Sequence, residues 1–394
     1  MHIPTENQKK EQLGAIYSAI AEKLNITQTQ FDEAKTSYER VGTYLREKLG
    51  DDSTHLADVD VFPQGSMGLG TVVRPSDESD DFDVDLVCRL NDGMDYTNEY
   101  IKNSVGDALK EHEIYRKKIQ EKGEGKRCWT IDYNQYHMDI LPCVPYSLDM
   151  KDTRIRLTHK QPDGAYISKY SNPEGYRQWF LSNAKKRPDG MVLVCDSREF
   201  GELVKLPFYS LRLPLQKAIQ ILKRHRNIMF ANAVNKDDAP ISIIITTLMT
   251  EAYQGETNVF VLLESALQKL PGLIKGDEGE YRVMNPVMKD ENFAEKWNSQ
   301  PEKHTAFMQW LDRAWHDLVV KPKTLKLPEL MKWLGECLGA KPANSAHEEI
   351  LESQKHEREC GKLVVNGCLG GLGLVSAVEG FAGTAVRAHT FYGK

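Results

Sequence analysis

Asp83 and Asp85 lie in the run DFDVDLV and alternate there with Phe82, Val84 and Leu86. On a strand, successive side chains point to opposite faces, so the two carboxylates share one side and the apolar residues the other. Like charges on one face repel each other, a cost that a divalent cation between them removes. A third acid, Asp139, sits in YHMDILP among Tyr136, Met138 and Ile140 with the same alternation. Three carboxylates converging from two strands form an oxygen-only ligand set suited to two magnesium or manganese ions. Such a pair activates an attacking hydroxyl and bridges a triphosphate, which is the chemistry of nucleotidyl transfer.

Upstream lies PQGSMGLGT, where Gly65 and Gly68 let the backbone approach a ligand and Ser66 offers a hydroxyl beside exposed N–H groups. Such a nest can cradle phosphate oxygens. A Gly-Ser pair alone is usually just a turn; the acidic strand that follows gives it a second meaning. Neither the P-loop pattern nor the Rossmann glycine fingerprint occurs in the chain. A triphosphate carries more negative charge than two divalent ions remove from an already acidic site, so cationic side chains should reach in from an opposing element. ILKRHRNIMF offers Lys223, Arg224, His225 and Arg226. For the last three, complementing the dipole at a helix C-terminus is the simpler individual reading.

The elements that must hold these residues can be read from periodicity. Apolar residues recur at helical spacing through Glu11–Gly50, interrupted by a turn at Asn25–Thr29. Strands are expected at Val59–Phe62, Asp83–Leu90, Cys128–Tyr133 and His137–Val144, with Ile101–Glu121 helical between them. From Leu206 onward the pattern is mostly helical. Helices are expected over Pro214–Phe230, Ile241–Tyr253, Val259–Leu270, Asp290–Asn298, Pro301–Val319 and Leu327–Leu338. The fold class is therefore α+β, a small mixed sheet with flanking helices plus a helical second lobe, the acids lying in the cleft between them.

Composition narrows the partners. With 40% hydrophobic and 27% charged residues in 394, the chain has the balance of a soluble globular protein of two lobes. A net charge of −6 argues against constitutive binding of long DNA and favours nucleotides as ligands. The seven cysteines are scattered and include no C-x-x-C pair, which excludes a zinc module or disulfide framework. The N-terminus lacks an apolar leader, and the run Ile241–Met249 is far shorter than the roughly 20 residues of a membrane span. A cytoplasmic protein without membrane partners is expected.

The Gly-Ser turn, the D-x-D pair and the distant third aspartate resemble the signature of the polymerase-beta-like nucleotidyltransferase superfamily. SNPEGYRQWF (171–180), LPLQKAIQILKRHRN (213–227), PISIIITTLMTEAY (240–253) and NPVMKDENFAEKW (285–297) narrow the resemblance to the bacterial cGAS/DncV-like nucleotidyltransferases, over nearly the whole chain to about residue 340. The resemblance implies an enzyme joining ATP, with or without GTP or another triphosphate, into a cyclic di- or trinucleotide second messenger of antiphage (CBASS) defence, which acts on a separate effector.

It further implies N-terminal helices crossing both lobes (1–50), a catalytic lobe (51–205), a helical lobe (206–345) and a glycine-rich C-terminal segment (346–394). By similarity Asp83, Asp85 and Asp139 match the metal-binding acids and Gln64, Gly65 and Ser66 the nucleotide-binding turn. Lys223 matches a triphosphate-contacting lysine, Ser242 a serine near the phosphates and Asp290 a position near the base. Ile243 replaces the base-stacking aromatic of the animal DNA sensor, leaving Tyr166 or Tyr170 as candidates, and that sensor's zinc insertion is missing. The ending TFYGK places Gly393 next to last, so conjugation through the tail would require removal of Lys394; a peptide-binding regulatory partner is the other route to activation. Linear transfer to an RNA end or a protein, and nucleotide sensing without turnover, are the competing functions.

Overall fold

The computed structural model describes residues 5–50, 58–76, 81–119, 123–149, 151–186, 212–274, 276, 279–359, 364–365 and 384–385. Two helices open the chain, α1 (Glu6–Lys23) and α2 (Gln28–Leu49). Each starts at a reciprocal cap: the hydroxyls of Thr5 and Thr27 accept from the N–H of Gln8 and Gln30, whose side chains accept from the threonine N–H. The two helices then serve different cores. Leu13, Ile16, Tyr17 and Ile20 of α1 join a helical core, whereas Phe31, Ala34, Tyr38 and Val41 of α2 pack on the sheet.

The sheet has six strands. β1 (Val59–Pro63) is followed by a single-turn helix α3 (Gly65–Leu69) and by β2 (Phe82–Leu90); α4 (Asn98–Glu111) and α5 (Glu113–Ile119) precede β3 (Trp129–Tyr133), β4 (Tyr136–Pro145), β5 (Ile155–Lys160) and β6 (Tyr166–Ser171). The order is β1-β2-β4-β5-β6, with β3 also paired to β4. β2 and β4 run parallel and every other pairing in this sheet is antiparallel. The single helix expected over Ile101–Glu121 is two helices, because the backbone of His112 is extended between them.

The second lobe contains α6 (Pro173–Ala184), α7 (Pro214–Phe230), α8 (Ser242–Ala252), α9 (Val259–Leu273), the hairpin β7 (Met284–Asn285) and β8 (Met288–Asn292), then α10 (Glu295–Ser299), α11 (Pro301–Trp315), α12 (Leu327–Leu338) and α13 (Ala340–Glu359). Its core includes Tyr176 and Phe180 of α6, a helix whose residues the sequence reading assigns to the catalytic lobe. The boundary at 205 and the tail end at Gly393-Lys394 lie outside the described residues. The helix expected over Asp290–Asn298 is corrected to a strand followed by a short helix. Asn292 causes the break: its Oδ1 accepts from Val283 and Ala294 N–H and its Nδ2 donates to the Tyr281 carbonyl, fixing a turn where a helix would have to continue.

Candidate active site

The register of β2, β4 and β3 assembles the acids. Asp83 lies opposite His137 and Asp85 opposite Asp139 across the parallel pair, while Asp139 and His137 lie opposite Thr130 and Asp132 across the antiparallel one. Residues in register share a face, so this side of the sheet carries two polar rows. Phe82, Val84, Leu86, Met138 and Ile140 face the other way into the core shared with α2. Beyond the acids, the same face continues into a small apolar cluster of Phe62, Val87, Leu141, Cys143, Ile155 and Leu157.

The glycine turn is built against Asp85. Gln64 N–H donates to the Asp85 carbonyl at 2.8 Å. Gly65 follows with φ +57, and a Cβ there would stand 2.0 Å from Asp85 Oδ2. Both the left-handed backbone and the close approach therefore require glycine. Ser66 is half-buried in the same turn, where its carbonyl accepts from Thr71 N–H at 2.9 Å.

Facing this turn is α7, whose polar side chains at helical spacing hold the chain that leaves α3. Gln216 Nε2 donates to the Leu69 carbonyl at 2.8 Å, Gln220 Nε2 to that of Val72 at 2.6 Å, and Lys223 Nζ to that of Thr71 at 2.9 Å. Arg224 continues the ladder to Arg74 O and Ser76 Oγ. His225 turns away to the buried carboxylate of Asp317, 3.3 Å off. Arg226 comes back toward the site, donating to Pro240 O and, at 3.2 Å, to Oγ of Ser242, the first residue of α8.

Electrostatics bind these groups into one site. Burial, with Asp83 and Asp139 nearby, pushes the Asp85 carboxyl up to about 7. Burial and the neighbouring Arg226 pull Lys223 down to about 8, against the opposing pull of Asp83 and Asp85. Arg226 is lowered to about 10 by burial, with Asp83 acting the other way. The acids on the sheet and the two cations on α7 thus act on each other across the cleft.

The donor set of Asp83, Asp85 and Asp139 fits divalent cations in chemistry, since these are hard oxygen ligands and Asp85 resists ionisation without a counter-charge. They do not form a closed cage. Among the described residues no three His, Cys, Asp or Glu side chains are gathered to hold a metal. Asp83, whose side chain is 62% exposed, pairs instead with His137 Nε2 at 2.8 Å. Asp139 Oδ1 accepts from Thr130 Oγ1 at 2.5 Å.

Other candidates fall elsewhere. Asp290 is exposed on β8, where its charge acts on Arg154. Its neighbour Glu291 accepts from Ser171 Oγ at 3.0 Å and joins the two lobes. Tyr166 and Tyr170 alternate onto the opposite face of the sheet: Tyr166 Oη donates to Glu124, and Tyr170 lies in register with Arg156, which donates to Asn98 of α4. Sequence reasoning passed over His137 and Thr130, and gave Arg226, offered as a cation, the simpler role of complementing the helix dipole. His137 shares the parity of Asp139, and Arg226 stands three residues from Lys223, so both were legible as same-face neighbours. Thr130 was not, because only the β3–β4 register brings it to Asp139.

Comparison with known proteins agrees with this architecture. Residues 12–181 match the family described as Second Messenger Oligonucleotide or Dinucleotide Synthetase domain. The chain is 28% identical over 396 residues to the c-di-GMP synthase of Roseivirga ehrenbergii, covering 98% of each. Among solved structures, CdnG of Bradyrhizobium diazoefficiens in complex with GTP aligns with a TM-score of 0.64 at 18% identity, over 86% of this chain and 98% of that one. The DncV cyclic AMP-GMP synthase of Vibrio cholerae with nonhydrolyzable GTP aligns at 0.52 and 14%, over 86% and 91%. Over most of its length the chain is similar to the cGAS/DncV-like nucleotidyltransferases. The polymerase-beta-like lobe with a helical second lobe is the fold these proteins share.

Helix geometry divides the basic run of α7. Positions 223 and 226 lie one turn apart and face the acids; 224 and 225 are absorbed by the seam and by Asp317. Reading all four as one cationic source therefore overstates the set, and assigning Arg226 to the helix dipole understates it. Among the described residues no helix is long and apolar enough to cross a membrane.

Proposed function

We propose that the protein joins two nucleoside triphosphates, GTP among them, into a cyclic dinucleotide. Asp85 and Asp139, in register and backed by Gly65, with Lys223 and Arg226 opposite, are the observation that carries the reading. The guanine assignment is supported by the name of the Roseivirga relative. The product would act in the cytoplasm as a second messenger on a separate effector in antiphage defence, and a protein partner would regulate its synthesis.

In this reading Asp83, Asp85 and Asp139 hold two magnesium or manganese ions, which when bound supply Lewis acidity at the phosphates and acidify the acceptor hydroxyl. The backbone of Gln64, Gly65 and Ser66 lies against the donor phosphates, because only glycine lets the chain pass that close to Asp85. Lys223, Arg226 and Ser242 donate to phosphate oxygens from the helical lobe. Thr130 fixes one oxygen of Asp139, leaving the other to take the acceptor proton. The acceptor oxygen attacks the α-phosphorus, the bond to the β-phosphate breaks and pyrophosphate leaves. A second turn at the same acids, using the triphosphate of the linear dinucleotide and a hydroxyl of the other nucleotide, closes the ring.

The test is incubation with all four triphosphates and magnesium or manganese, followed by phosphatase treatment and mass spectrometry. A phosphatase-resistant cyclic product is expected, abolished in the Asp83→Ala, Asp85→Ala double variant. A phosphatase-sensitive product or a labelled macromolecule would refute cyclisation, and full activity of the double variant would refute the site.

A further inference from the structure

The acidic face of the sheet ends in a basic corner that the site described above does not use. Strand alternation places it there. Cys143 shares the parity of Asp139 and lies in register with Leu157, which lies in register with Lys169; His159, two residues past Leu157, pairs with Ile167. Arg127 Nε donates to His159 Nδ1 at 3.2 Å, and Lys160 N–H ties the strand to the Lys126 carbonyl at 2.8 Å. Lys126, Arg127, His159 and Lys169 therefore meet at one end of the face that carries Asp83, Asp85 and Asp139.

Among the described residues no carboxylate neutralises them. The carboxylate of Glu124 is engaged on the other face, by Lys160 and Tyr166. His159 reports the same imbalance: burial lowers its pKa, and so do Arg127, Lys169, Lys126 and Lys102. In a chain of net charge −6, three cations left together with a neutral imidazole beside a catalytic face call for an anion.

Its place in the sheet identifies the anion. β2, with Asp83 and Asp85, lies along one edge of β4, and β3 and β5, which bring Thr130 and the basic corner, lie along the other. The corner is therefore on the side of Asp139 away from Asp83, Asp85 and the Gly65 turn, where the donor phosphates are placed. It suits a nucleotide whose ribose hydroxyl is at Asp139 and whose 5′-phosphates extend away from the reaction. We infer that Lys126, Arg127, His159 and Lys169 bind the 5′-polyphosphate of the acceptor nucleotide, an assignment that rests on the nucleotidyl-transfer reading above.

Two measurements on the full chain test this, comparing wild type with the Arg127→Gln, Lys169→Gln variant, whose altered side chains are exposed or half-buried. The first is calorimetric binding of inorganic tripolyphosphate with EDTA present; affinity is expected to fall roughly tenfold or more in the variant. Equal affinity, or no binding by wild type, overturns the assignment. The second is transfer from labelled 2′,3′-dideoxy-GTP, which can only donate, to GTP or to guanosine as acceptor. The ratio of kcat/KM for GTP over guanosine should fall about tenfold in the variant, and an unchanged ratio overturns the assignment. Failure of wild type to transfer to either acceptor refutes nucleotidyl transfer instead, and the tripolyphosphate measurement still decides the basic corner.

Discussion

Replacing Asp85 by asparagine should abolish activity and make the protein more stable at alkaline pH. The Asp85 carboxyl is raised from an ordinary 3.8 to about 7 by burial and by Asp83 and Asp139. Each tenfold change in proton affinity is about 1.4 kcal/mol, so keeping Asp85 ionised costs the fold on the order of 4 kcal/mol before relaxation and water entry reduce it. A raised folded pKa means that the native state binds the proton more tightly than the unfolded chain. The contribution is therefore fully present below pH 4 and lost as pH rises through 7. An amide at this position has no charge to bury. In urea unfolding without divalent ions, Asp85→Asn should match wild type near pH 4 and exceed it by about 2 kcal/mol or more at pH 8. Magnesium should raise the stability of wild type at pH 8 and leave the variant nearly unchanged, because the ion neutralises the repulsion that the substitution removes. A stability difference that does not vary with pH, or a variant less stable than wild type at pH 8, would refute the claim that Asp85 is held in an electrostatically costly position.

Gly65→Ala should lose about 1–2 kcal/mol from the left-handed backbone alone, and moving Asp85 to admit the methyl group should cut kcat about 100-fold, read by denaturant unfolding and initial rates. Arg226→Ala and Arg224→Ala separate by readout: the first should raise KM for the triphosphate about tenfold with little change in the unfolding midpoint. The second, which strips donors from Arg74 O and Ser76 Oγ, should lower stability by about 1–3 kcal/mol. Lys223 has its pKa lowered to about 8, so KM for the triphosphate should rise as pH passes through 8, and Lys223→Arg, which stays charged, should flatten that limb.

How much of this was legible in the sequence depended on whether the deciding interaction was local. The D-x-D strand and Asp139 could be read from period-two alternation, and the helices of the second lobe from their apolar spacing, because each signal is complete within a few residues. Residues 290–298 misled the reading. Their apolar positions suit a helix, but Asn292 binds backbone at Tyr281 and Val283, about ten residues away in the chain, and those bonds choose the strand. The roles of Arg224 and His225 depend on Ser76 and Asp317, roughly 150 and 90 positions distant, and no local pattern carries that information. The side on which Tyr166 and Tyr170 fall follows from the β5–β6 register, which alternation alone does not set.

The same distances explain how a site of mutually repelling groups is tolerated. Each wall is costly by itself: Asp83 and Asp139 repel Asp85 across two strands, and on α7 Arg226 depresses Lys223. Their attraction across the cleft offsets only part of the burial cost, since Lys223 still lies well below an ordinary lysine. Beside Lys223 and Arg224, uncharged groups keep the walls together. Gln216 and Gln220 donate to Leu69 and Val72, and α1 and α2 anchor in separate cores either side of Asn25, whose Oδ1 accepts from Gln220 at 2.7 Å. Hydrogen bonds between neutral groups do not weaken when nucleotide and metal change the charge in the cleft. These neutral bonds can therefore hold their geometry through a cycle in which phosphate-bearing species enter and leave the cleft.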